Sequence, residues 1–216
     1  MSAVEIKICG ITRVEDALSA IHAGAAMLGL NFFPGSPRCI PLEQAQRIAA
    51  AVSGRVKLVG VFVNMNVEDV LAIARAVPLD AIQLHGDESP AEARKLAAEF
   101  ELIRALKVDV HFTPALAAEF AFCRGLLVDT PSAGHGGSGE IFNWASVDWM
   151  ALRRASSAKL FLAGGLHAAN VTQAITAVRP DIVDVCSGVE SAKGIKNPEK
   201  IREFVAAVRA AERQEP

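Results

Sequence analysis

The chain reads as a single (β/α)8 (TIM) barrel over residues 1–216. Three observations predict this. Short apolar runs alternate with amphipathic stretches eight times, with no linker or low-complexity segment between them. Glycine-rich turns follow the seventh and eighth runs, where barrels of this kind hold phosphate. The first run ends in Cys9-Gly10, without the Gly-rich loop that an open doubly wound sheet places there. Within that frame, polar residues gather late in the runs, at Lys7, Cys9, Asn31, Gln83, His85, Arg104, Asp129 and Asp184. Parallel strands covered on both faces are otherwise nearly all apolar, so these residues are expected at a common mouth.

The elements follow in order. A strand over 5–9 leads to a helix over 14–23, whose start is marked by Thr12 with Glu15 three residues on, a capping-box pattern. Strands over 27–32, 57–63 and 81–85 precede helices over 42–52, 67–77 and 90–100. The fifth pair is a strand over 102–107 and a helix over 114–120. The sixth strand, 125–129, is followed by the longest loop, 130–143, and then a helix begun at Trp144. The seventh strand, 159–163, stops at Gly164-Gly165, and a helical pattern starts at once with His167. The eighth, 181–186, runs into Ser187-Gly188, and a helix over 198–211 ends the pattern.

Bulk properties narrow the function. With 51% hydrophobic and 21% charged residues, the chain can bury a sizeable core. A net charge of −2 leaves no basic footprint for nucleic acid. No apolar run approaches the ~18 residues of a membrane span, and the N-terminus lacks a signal-peptide layout. The four cysteines form no C-x-x-C pair and no zinc-like spacing, so reduced thiols, a cytoplasmic location and no bound metal are expected. Partners are expected to be a small phosphorylated molecule, with the protein itself a monomer or homodimer.

Glycine at a strand-to-helix turn lets backbone amides approach an anion at the positive end of a helix. Two consecutive strand ends of this type, Gly164-Gly165 and Ser187-Gly188, suggest one phosphate held between them. Lys7 and Cys9 are two apart and share a strand face, as do Gln83 and His85. Cys9 beside a cation has the setting of a reactive thiol, although burial as a small hydrophobe is the commonest fate of a free cysteine. Asp129 places a carboxyl at the mouth before a glycine-rich loop, read as a lid. Gln83 and His85 line the site, and a lone histidine is a poor metal ligand. Arg38, in Ser36-Pro-Arg38, points a cation at the mouth; Asp184 pairs with Lys7 in an interior charge layer and is counted with the binding residues. Cys186 is expected to pack beside the phosphate loop.

Taken together, these motifs resemble a known family. Lys7-Ile-Cys-Gly-Ile-Thr12, Ser36-Pro-Arg38, Gln83-Leu-His-Gly-Asp87, Leu127-Val-Asp129, Gly136-Gly-Ser-Gly139, Ala163-Gly-Gly-Leu166 and Val183-Asp-Val-Cys-Ser-Gly-Val-Glu190 are similar to those of phosphoribosylanthranilate isomerases of tryptophan biosynthesis. So is Gly194-Ile-Lys-Asn-Pro198, and Cys39 departs from the aromatic usual after the arginine. The resemblance implies an Amadori rearrangement of N-(5-phosphoribosyl)anthranilate without a cofactor. It gives Asp129 the role of general acid at the ring oxygen and Cys9 that of general base at C2′, and Arg38 that of holding the anthranilate carboxylate or steadying the developing charge. From the residues alone, one group must donate and one accept a proton, and a base of this kind needs its thiol pKa drawn down by cations. A sister barrel of histidine synthesis would have Asp where this chain has Cys9. A non-catalytic phosphate receptor on the same fold would bind product and not turn over.

Overall fold

The structure, a computed structural model, describes residues 3–109, 112–130 and 143–213. Eight parallel strands close into a barrel in sequence order: β1 (Glu5–Ile8), β2 (Met27–Asn31), β3 (Lys57–Phe62), β4 (Ala81–Leu84), β5 (Glu101–Lys107), β6 (Gly125–Asp129), β7 (Lys159–Leu162) and β8 (Ile182–Val185). The helices between them are α1 (Val14–Ala23), α2 (Leu42–Val52), α3 (Val67–Ala76), α4 (Pro90–Ala97), α5 (Leu116–Glu119), α6 (Trp149–Ala155), α7 (Val171–Val178) and α8 (Pro198–Glu212). The expected alternation and closure are both present.

Side-chain parity divides the core in two. One face of each strand packs outward against the helices, through Ile6, Ile8, Leu28, Leu30, Leu102, Leu126 and their neighbours. The other fills the barrel with Met27, Val59, Ala81, Ile103, Ala105, Leu127, Phe161, Ala163 and Ile182. Arg104 is therefore not at the mouth as expected. It lies one residue out of phase with Ile103 and Ala105 and so points outward. There its guanidinium reaches Glu88 at 2.6 Å and Gly86 O at 3.1 Å, and stands over the Phe120 ring.

Several boundaries shift for local reasons. Thr12 does not cap α1; Arg13 is the N-cap, without a side-chain cap bond, and Thr12 donates its hydroxyl to Gly194 O instead. Helix α5 shrinks to a single turn. A 3-10 turn, Trp144–Ser146, precedes α6, and Asp148 caps the helix proper. After Gly165 the chain turns before it coils: Asn170 bridges His167 N and Gly165 O, and α7 starts only at Val171. A short antiparallel pair, β9 (Glu190–Ala192) and β10 (Ile195–Lys196), follows β8 and has no counterpart in the sequence reading. No helix of the described residues is long and apolar enough to cross a membrane. The proposed lid falls on 131–142, outside the described residues.

Candidate active site

Parity and parallel register bring the expected residues to one end of the barrel. In strand order round the mouth stand Cys9 after β1, Gln83 and His85 at the end of β4, Asp129 closing β6, Gly164 and Gly165 after β7, Asp184 on β8 and Cys186 just after it. Consecutive strands β6, β7, β8 and β1 therefore carry the carboxyl, the glycine turn and the two thiols side by side.

At the carboxyl, His85 Nε2 lies 3.2 Å from Asp129 Oδ2. The Thr130 amide donates to Oδ1 at 2.8 Å. The Gln83 side-chain amide sits 2.9 Å from His85 Nδ1. With Nδ1 accepting from Gln83, the imidazole proton is on Nε2 and faces Asp129. The three side chains are all buried. Gln83 Oε1 and Asp184 Oδ1 are buried acceptors without a hydrogen-bond partner among the described residues. An orphaned buried acceptor costs about 1–3 kcal/mol, so each is a place for a ligand hydroxyl.

Across the seam where the barrel closes, Lys7 and Asp184 are register partners and pair at 2.6 Å, as the interior-layer reading expected. Burial works against the Lys7 ammonium, but Asp184 and Cys9 outweigh it and hold the Lys7 pKa above its usual value. Burial pushes Asp184 up to about 7 despite Lys7, so an added proton goes to this carboxylate.

The thiols depart from expectation. Cys9 was expected to be drawn down by Lys7; instead its pKa is raised, first by a hydrogen bond to Cys186 and then by burial, with Lys7 opposing. Cys186 is the lowered partner, at about 6, chiefly through the same hydrogen bond, with Lys196 and Arg38 adding to it. Cys186 also borders a cation, with Lys196 Nζ 3.7 Å from its Sγ.

Arg38 is at the mouth, but its charge is engaged. Its Nε and Nη2 fork onto Glu190 at 2.9 and 2.8 Å, a planar bidentate pair that holds the guanidinium protonated. Burial opposes ionisation of Glu190, and Arg38 and Lys196 together overcome it. Lys196 Nζ meets Glu190 at 3.0 Å. Glu190 and Lys196 went unassigned in the sequence reading; the signal was their place in the short segments after β8.

At the turns, Gly164 and Gly165 have φ of 87° and 62°, the left-handed region. A Cβ on Gly164 would stand 2.2 Å from Thr130 Oγ1, and one on Gly188 would stand 2.0 Å from Leu166 O. The two turns are packed against each other, and Ser187 opens a 3-10 turn beside Leu166 and His167.

The chain as a whole matches a known family. The model of N-(5′-phosphoribosyl)anthranilate (PRA) isomerase matches residues 6–207. The chain belongs to this isomerase family. Its relatives include the N-(5′-phosphoribosyl)anthranilate isomerase of Pseudomonas fluorescens strain Pf0-1, 46% identical over 97% of this chain and 100% of the relative. Among solved structures, phosphoribosyl anthranilate isomerase from Thermotoga maritima superposes with a TM-score of 0.88 at 39% identity, covering 96% of this chain and 99% of that one. A second, at TM-score 0.85, 37% identity and 96% and 99% coverage, holds reduced 1-(o-carboxyphenylamino)-1-deoxyribulose 5-phosphate. Mutually generated monomers of the dimeric Thermotoga maritima isomerase give a TM-score of 0.82 at 36% identity, covering 95% of this chain and 98% of that one.

Proposed function

We infer that the chain performs the isomerisation that names its family, converting N-(5′-phosphoribosyl)anthranilate to 1-(2-carboxyphenylamino)-1-deoxyribulose 5-phosphate in tryptophan biosynthesis. The observation that carries this reading is the strand order at the mouth, with Asp129 on β6 and Cys9 just after β1 flanking the glycine turns after β7 and β8. A sugar phosphate anchored at those turns presents its ring between the carboxyl and the thiol.

Asp129 protonates the ring oxygen and the furanose opens to a Schiff base. Cys9 takes the C2′ proton, and the resulting enolamine tautomerises to the ketone. The His85–Gln83 pair fixes the orientation of Asp129, and Gln83 Oε1 and Asp184 Oδ1 are suited to accept from sugar hydroxyls. Gly164, Gly165, Ser187 and Gly188 surround the phosphate with backbone amides. Arg38 faces the anthranilate carboxylate while Glu190 holds its fork in place. Oxidation at C2′ and reduction at C1′ occur within one molecule, so no external electron carrier is consumed. The partner is a small phosphoribosyl compound, the protein is a monomer or homodimer, and its place is the cytoplasm.

Turnover followed by loss of substrate fluorescence tests the reading. Turnover supports it; tight binding of product without turnover would leave only a phosphate receptor on this barrel.

A further inference from the structure

Gly29 stands in the middle of β2, where its backbone does not call for a glycine. It is buried, lies outside the left-handed region and keeps regular register with β3. Glycine in such a place weakens a strand, because it loses more freedom on folding and packs no side chain. What offsets that cost is the close approach of another part of the molecule. Here the approaching residue is Cys9.

A Cβ on Gly29 would stand 2.6 Å from Cys9 Sγ, 3.0 Å from its Cα and 3.2 Å from its Cβ. β1 and β2 pair Lys7 with Met27 and Ile8 with Leu28, and one further step sets Cys9 beside Gly29. Gly29 is two residues from Met27 and shares its inward face. The Cys9 sulfur therefore fills the place of an absent side chain inside the barrel.

Cys9 is held there from its other sides. Its backbone N donates to Val185 O at 2.9 Å, and Ile11 N donates to Gly29 O at 3.0 Å. Between them Gly10 turns at φ 72°, where a Cβ would meet Arg38 Cδ at 2.8 Å and Cys186 Sγ at 3.0 Å. The backbone around the thiol is thus bonded to both flanking strands and pressed by the Arg38 stem. Cys9 is nevertheless only partly buried, which leaves a path to its sulfur.

We propose that Gly29 is a positioning residue for the isomerisation, its missing side chain being the seat that sets the Cys9 sulfur within reach of C2′. The proposal rests on Cys9 being the base. A methyl group at position 29 needs about 3.5–4.0 Å from its neighbours, so the sulfur must move by about 1 Å. Reacting atoms have to lie about 3–3.5 Å apart, and a misplacement of about 1 Å costs on the order of 10²-fold in rate.

The test compares Gly29→Ala with Gly60→Ala. Gly60 is also mid-strand, on β3, but its Cβ would crowd Leu79 Cδ1 at 2.4 Å and Phe62 Cε2 at 2.7 Å on the helix side. In Gly29→Ala, kcat should fall about 10²-fold while product affinity changes less than about threefold. Gly60→Ala should keep kcat within about threefold of wild type. Folded Gly29→Ala with a kcat that close to wild type overturns the proposal. An equal fall in Gly60→Ala also overturns it, by tracing the loss to strand crowding in general. If Gly29→Ala does not fold, the double variant Cys9→Gly with Gly29→Ala decides. Removing the Cys9 side chain should restore folding and product affinity, and a double variant that stays unfolded overturns the seat. Failure of the underlying reading looks different: Cys9→Ser would then keep its turnover.

Discussion

At Asp129 the two oxygens have different partners, Oδ1 the Thr130 amide and Oδ2 the His85 ring. Asp129→Asn keeps this shape but cannot give a proton, so turnover should fall by about 10²–10⁴ with product affinity retained. Near-normal turnover would remove Asp129 from the mechanism. Cys9→Ser should likewise lose most activity, since a hydroxyl is a far poorer base than a thiol; full activity would exclude the thiol. Lys7 invites a stability experiment. Removing one member of a buried ion pair costs about 3–5 kcal/mol, and Lys7→Met leaves Asp184 without its counter-charge. Asp184 has a folded-state pKa of about 7, above the ordinary carboxyl value, so its contribution to stability is present at low pH and lost as pH rises through about 7. In Lys7→Met that loss grows. The stability gap between variant and wild type should widen from pH 5 to pH 8 in urea melts, and a constant gap would mean that the pair is not the cause.

The turns after β7 and β8 act as one element, since a Cβ on Gly188 would run into the Leu166 carbonyl of the turn before it. Gly165 lies at φ 62°, a conformation that Asp and Asn tolerate better than other side chains. Gly165→Asp and Gly165→Asn therefore make the same demand on the backbone and differ in charge. Gly165→Asp should raise KM well above that of Gly165→Asn, while the two unfold at similar temperatures. Equal KM values would mean that no anion sits at this turn.

The barrel is closed twice, by strands and by helices. β8 returns to β1 through the Lys7–Asp184 register, and α8 fits between α7 and α1. Its inner face is Ile201, Phe204, Val208 and Ala211, all buried. Arg209 and Glu212 on the same helix bond to Val4 O and Val4 N, which ties the end of the chain to its beginning. Phe204→Ala opens this joint, and a loss of about 3–5 kcal/mol is expected in urea unfolding. A loss below about 1 kcal/mol would show that the ring of helices closes without it.

Much of this was readable from the chain alone because it is local. Alternating apolar runs and helical spacing set the order of eight strands and eight helices, and the two-residue period of a strand puts Cys9 on the face of Lys7 and His85 on that of Gln83. The same period, applied without a register, misplaced Arg104, because one residue of phase separates the barrel interior from the helix side. What tertiary structure decided is which distant charges meet. Arg38 and Glu190 are 152 residues apart, and Lys7 and Asp184 are 177 apart. No spacing encodes such pairs; the closing of β8 against β1 creates them. That closure also brought Cys186 against Cys9. A thiol's ionisation depends on the charges within a few ångströms of it, and those neighbours exist only once the barrel has closed.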